Sequence, residues 1–208
     1  MKDKFIELYN QHITRPGADK LLSWLESDGF FTDPASAKHH LNYPGGLCEH
    51  SIHVFERLQT LCAAEAARNS SFVMPGMETL AIVSLLHDVC KVGCYKQEPK
   101  NQKTYDPEKV GKAQHWQIKH DDLGDFIWET VLGYTFDDQM PYGHGEKSVY
   151  IISGFMHLSR EEAFAIRYHM GPWQDGEKQN AGKAFEMYPL AMLVHMADMM
   201  ATYLDERE

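Results

Sequence analysis

The sequence predicts an all-α helical bundle with a small β-hairpin or flap inserted around residues 95–145. Apolar residues recur every third or fourth position through most stretches free of glycine and proline, which is the period of an amphipathic helix. Proline–glycine pairs at 16–17, 44–45 and 75–76 punctuate those stretches. Between 95 and 145 the rhythm fails, and a run of strand-forming residues, Phe126-Ile127-Trp128-Glu129-Thr130-Val131, replaces it. A chain of 208 residues, 43% hydrophobic and 24% charged, is long and apolar enough for one domain with a real core. Within 1–208, segment 1–38 is expected as a helical cap and 39–205 as the core that carries the insertion.

A first helix over 5–13 ends at Pro16-Gly17, and a second over 19–26 ends at the turn of Asp28-Gly29. Pro44-Gly45-Gly46 launches a longer helix with Leu47, Val54, Phe55, Leu58, Leu61 and Cys62 on one stripe and His50 and His53 near its start. The helix after Pro75-Gly76 is apolar almost all round from Leu80 to Val89, as a deeply buried helix must be, and is expected to run to Gly93. The insertion holds six lysines and six acids over 95–125, so it is no basic patch. Helical signals resume over 148–155. Ser159-Arg160-Glu161-Glu162 then matches a capping box for a helix that stops at His169-Met170-Gly171-Pro172. Pro189 suits the first turn of a last helix that turns Leu190, Leu193, Val194, Ala197, Ala201 and Leu204 inward, with Asp198 beside that stripe.

Twenty Lys and Arg against thirty Asp and Glu give a formal charge of -10, which repels long polyanions, so no extended nucleic-acid surface is expected. The four cysteines and the lack of an apolar core in the opening segment are expected of a reduced, cytoplasmic protein. The longest apolar stretch, 80–86, is too short to span a bilayer.

His87-Asp88 stands out chemically. A His and an Asp on an otherwise apolar helix are costly to bury unless they are paired or bind a metal. An imidazole nitrogen beside a carboxylate oxygen suits Mn, Fe, Zn, Co or Ni better than Ca. A buried His–Asp hydrogen bond is the ordinary alternative. His50 as an exposed helix-start residue, His144 as a loop residue between glycines, and His169 as a cation near a helix C-terminus are equally ordinary roles when each is taken singly.

Taken together, Gly45-Gly46-Leu47-Cys48-Glu49-His50, then Leu86-His87-Asp88-Val89-Cys90-Lys91, then Ala197-Asp198 late in the chain resemble the HD superfamily of metal-dependent phosphohydrolases, in the order H…HD…D. Gly143-His144-Gly145 and Tyr168-His169 fall where the two-metal branches carry further histidines. The segment from Tyr43 to His50 is similar to the HD module of some bacterial 3′-5′ exoribonucleases, although no accompanying OB-fold module is evident. The segment from His144 to Ser148 is similar to small stand-alone bacterial and phage HD proteins.

The resemblance implies an HD-type helical bundle in which His50, His87, Asp88 and Asp198 hold one divalent transition metal ion. His144 and His169 join a second ion, and Asp88 bridges the two. Asp88 is thereby a catalytic residue, and Lys91, one helical turn beyond His87, is placed to join it by aiming its charge at the transition state or by ordering the attacking water. The expected activity is hydrolysis of a phosphate ester or anhydride of a small nucleotide by metal-activated water. A phosphodiesterase or exonuclease acting on short oligonucleotides or cyclic dinucleotides is an alternative, and a di-iron oxygenase is a third. His39, His40, His53 and His195 are supporting or substrate-contacting candidates, whereas His115, His120 and His157 are expected on the surface. Lys147 either contacts phosphate or is a solvated lysine. Cys90 and Cys94 lack C-x-x-C spacing and are expected as small buried hydrophobes.

Overall fold

The computed structural model describes residues 1–173 and 178–207. Helices α1 (Lys2–His12) and α2 (Ala18–Ser27) are tied where the Tyr9 hydroxyl donates to the Ala18 carbonyl at 2.9 Å. Phe5, Tyr9, Leu21 and Leu25 join the same hydrophobic cluster as the later helices, so this pair builds the core as well as covering it. The 23-residue α3 (Gly46–Arg68) starts after Gly45, whose φ of 85° is one that glycine adopts without strain. A Cβ at Gly46 would overlap the Leu41 carbonyl, so this second glycine lets the loop fold flat against the helix start.

Helix α4 (Met77–Leu85) is the buried centre, with every residue from Leu80 to Leu85 out of solvent. It does not run to Gly93. Leu86 and Asp88 leave helical geometry at φ −118°, ψ 2° and φ −108°, ψ 16°, and a single 3₁₀ turn, Val89–Lys91, follows. His87 and Asp88 therefore sit in a break, where side chains can converge that the 100° step of an α-helix would spread apart.

Strand β1 (Tyr95–Thr104), helix α5 (Pro107–Lys112) and strands β2 (Lys119–Asp121) and β3 (Gly124–Phe136) form the insertion. The sheet is antiparallel in the order β1-β3-β2, registered from Tyr95 opposite Phe136 to Thr104 opposite Ile127. Pro99 is tolerated because β1 is an edge strand. No residue of the sheet belongs to the main hydrophobic cluster, as expected of a flap.

The flap ends earlier than residue 145. Helix α6 (His144–Ser153) begins four residues before the expected start at 148, with Gly143 in its N-cap position. A Cβ at Gly145 would overlap the Arg167 carbonyl at the end of α7 (Arg160–Arg167), so this glycine permits a close helix approach. The capping box is present: Ser159 accepts from the Glu162 amide, and the Glu162 carboxylate accepts from the Ser159 amide. Helix α8 (Lys178–Met187) had no counterpart in the sequence reading.

Helix α9 (Pro189–Met200) packs on α3 and α7 and widens into a π turn, Ala201–Asp205. The wider turn holds back the helical phase, so Leu204, expected inward, is 61% exposed, and Glu206 turns inward instead. Among the described residues no helix is long and apolar enough to cross a membrane.

Candidate metal centre

Five elements deliver six side chains to one buried cluster. His50 comes from the second turn of α3, His87 and Asp88 from the break after α4, His144 from the start of α6, His169 from beyond α7 and Asp198 from α9. Asp88 stands at the middle. Its Oδ1 lies 2.8 Å from His144 Nε2 and 3.4 Å from His169 Nε2, and its Oδ2 lies 3.5 Å from His87 Nε2 and 3.8 Å from His50 Nε2. His50 Nε2 is 3.2 Å from both Asp198 Oδ1 and His87 Nε2.

Three groups in this cluster have ligand atoms within 4.8 Å of one another: His50, His87 and Asp198; His87, Asp88 and His169; and Asp88, Cys90 and His144. Metal bonds of about 2.0–2.2 Å at tetrahedral or octahedral angles leave neighbouring ligand atoms about 2.9–3.4 Å apart, close to the spacings seen here. The backbone sets the tautomers. His87 Nδ1 donates to the Ser84 carbonyl at 2.7 Å and His169 Nδ1 to the Ile166 carbonyl at 2.6 Å, and a carbonyl can only accept. In a neutral ring that leaves each Nε2 as a lone pair aimed into the cluster. His169 Nε2 is buried with no hydrogen-bond partner, the condition a cation relieves. The residues therefore fit a metal ion.

Electrostatics favour the same outcome. Burial works to lower the pKa of His50, yet hydrogen bonds and charge from Asp198 and Glu206 outweigh it and lift the value to about 10, so the site draws positive charge. Burial pushes His87 down to about 4 against the pull of Asp88, which keeps that ring neutral as a ligand must be, and burial likewise lowers His144. Burial opposes ionisation of Asp88, but Lys91 and the surrounding imidazoles hold its pKa well below the usual carboxylate range.

Lys91 Nζ sits 2.7 Å from Asp88 Oδ2 and donates to the Ala35 carbonyl at 2.8 Å, so two of its three protons are engaged. A cavity of about 520 Å³ opens over the cluster, with Lys38, Lys91 and Arg207 bringing positive charge to its wall. His39 and His40 also line it. His195 supports the site, donating from Nδ1 to the His169 carbonyl at 2.6 Å.

Lys147 departs from both of its expected roles. It is 3% exposed, donates to Asp138 and does not line this cavity, because α6 turns it toward the base of the sheet. His115, His120 and His157 are on the surface, as expected. Cys90 and Cys94 are buried, but Cys90 Sγ also lies 3.5 Å from His144 Nδ1, nearer the cluster than a packing role requires. The sequence reading missed Glu206. Read in order, Asp205-Glu206-Arg207-Glu208 is a run of charges of the kind that faces solvent, and only the π turn directs one of them inward. Set against protein-family models, curated proteins and solved structures, the chain matches none of them, so the reading of this centre rests on its own side chains.

Proposed function

We propose that this chain is a metal-dependent hydrolase acting on a phosphate ester or anhydride of a small nucleotide, with His50, His87, Asp88, His144, His169 and Asp198 holding two divalent ions of the Mn, Fe, Co, Ni or Zn type. The observation that carries the reading is the convergence of six donors from five elements beneath a cavity to whose wall Lys38, Lys91 and Arg207 bring positive charge, in a protein of net charge -10. When bound, such ions polarise a phosphoryl oxygen and supply a nucleophilic water at neutral pH.

The side chains divide the remaining work. The two oxygens of Asp88 face different sets of imidazoles, Oδ1 toward His144 and His169 and Oδ2 toward His87 and His50, so one carboxylate joins two half-sites. Lys91 fixes Asp88 and sets a permanent positive charge on the cavity wall, where it can meet the negative charge that develops on a phosphoryl group in the transition state. Lys38 and Arg207 favour entry of a small anion, while the acidic balance of the whole chain disfavours a long one.

The test is turnover of nucleoside mono- and triphosphates beside short RNA and cyclic dinucleotides, after loading with each metal. Asp88→Asn is expected to abolish turnover and reduce bound metal. Cleavage of oligonucleotides or cyclic dinucleotides alone would replace the small-nucleotide reading with a phosphodiesterase. Oxygen-dependent turnover with an iron signature would replace hydrolysis altogether.

A further inference from the structure

Beyond the six donors, one carboxylate is buried without a lysine or arginine partner among the described residues. Glu206 is 5% exposed, and both of its oxygens approach His50 Nδ1, at 3.0 and 3.1 Å. Oε1 also lies 2.9 Å from His53 Nδ1, and His40 Nε2 stands 3.8 Å from Oε2. Three imidazoles from two segments thus surround one acid that arrives from a third.

Its delivery is a built feature of the fold. The π turn Ala201–Asp205 closes with the Glu206 amide donating to the Ala201 carbonyl at 3.1 Å, and Arg57 Nε donates to Asp205 at 2.7 Å, pinning the turn to α3 one residue before the acid. An α-helical turn there would have changed the phase and sent position 206 elsewhere.

We infer that Glu206 is a positioning residue for the metal centre: it takes the Nδ1–H of His50 so that Nε2 of the same ring faces His87 and Asp198. An imidazole has two nitrogens, and a hydrogen bond at one decides which is left to bind. Backbone carbonyls do this for His87 and His169, through Ser84 and Ile166. His50 differs because its Nδ1 is held by a carboxylate, which also raises the basicity of the ring. His53 shares the acid and steadies it.

The inference rests on the metal-binding part of the proposed function, and zinc titration separates the two. Zinc uptake by the full chain is followed by competition with a chromophoric chelator for wild type, Glu206→Ala and Glu206→Gln, with a metal-free melt of each. Loss of the carboxylate in Glu206→Ala is expected to weaken zinc binding by about 10- to 100-fold. Glu206→Gln keeps an acceptor for Nδ1–H and is expected to lose affinity by a smaller factor. In zinc-loaded protein labelled with ¹⁵N-histidine, the His50 Nδ1–H resonance is expected far downfield in wild type and shifted upfield in both variants, a change that lowered stability alone does not produce.

Wild type that takes up no zinc overturns the metal reading and this inference together. Variants with wild-type affinity and an unmoved resonance overturn the positioning role alone. Loss of one whole equivalent of zinc, with the rest held at wild-type affinity, also overturns it, because Glu206 would then be a ligand in a site with His40 and His50.

Discussion

A lysine buried against its own carboxylate invites a purely structural explanation, and Lys91 can be separated from it. Burial disfavours its charge, but Asp88 more than restores it and holds the pKa above the usual lysine range, so the ammonium is a permanent cation on the cavity wall. Lys91→Met keeps the length and apolar stem and removes the charge together with the hydrogen bonds to Asp88 and the Ala35 carbonyl. It is expected to retain bound metal while lowering kcat by about 10²- to 10³-fold, the scale of losing one preorganised charge at a transition state. Metal analysis beside steady-state kinetics checks this, and an unchanged kcat would reduce Lys91 to a brace for Asp88. At this scale the sequence was informative wherever chemistry and spacing coincided. His50, His87, Asp88, His144, His169 and Asp198 were singled out by residue type and motif order, and all six meet in space. Glu206 carried no such mark, because its role depends on a change of helical phase that residue periodicity does not reveal.

Among the elements, the joint between the α1–α2 loop, α4 and α7 is held by Glu162. Its carboxylate accepts from Arg15 at 2.8 and 3.0 Å, from the Thr79 hydroxyl at 2.8 Å and from the Ser159 amide at 2.8 Å. Burial raises the pKa of this acid, but these donors together bring it below its ordinary 4.5. A carboxylate whose folded pKa is depressed takes up protons more readily when the chain unfolds, so stability rises with pH across that interval. The contribution is complete above about pH 4.5 and fades as pH falls toward the folded value. Glu162→Ala is expected to cost about 2–4 kcal/mol at pH 7, toward the lower side for breaking a buried pair because Arg15 still reaches Glu78. Urea unfolding at pH 7 and pH 3 checks both statements: the wild type should weaken on acidification more than the variant does. Here the sequence was half legible. The capping box marked Glu162 as the end of a local motif, whereas its long reach to Arg15 awaited the tertiary fold. The polar β1 was likewise hidden, because Gln97, Glu98, Pro99 and Lys100 have little strand propensity and are paired only through β3.

For the molecule as a whole, the proposed ligand set would act as a cross-link once a metal is bound. The six donors come from α3, the break after α4, α6, the end of α7 and α9, while the main hydrophobic cluster includes no residue of β1, β2 or β3. Metal binding is therefore expected to stabilise the helical body and leave the sheet unaffected. At a free metal concentration of one hundred times Kd the gain is about 2.7 kcal/mol, and at about 2–4 °C per kcal/mol for a chain of this size Tm should rise by about 5–10 °C. Hydrogen exchange with and without metal distinguishes a cross-link from a general effect on the chain. Amides of the buried helices α3, α4 and α9 are expected to exchange through the largest openings, so their protection should increase by the full binding energy, whereas those pairing β1 with β3 should exchange at the same rate in both states. Equal slowing in the sheet would mean that the insertion folds with the body as one cooperative unit.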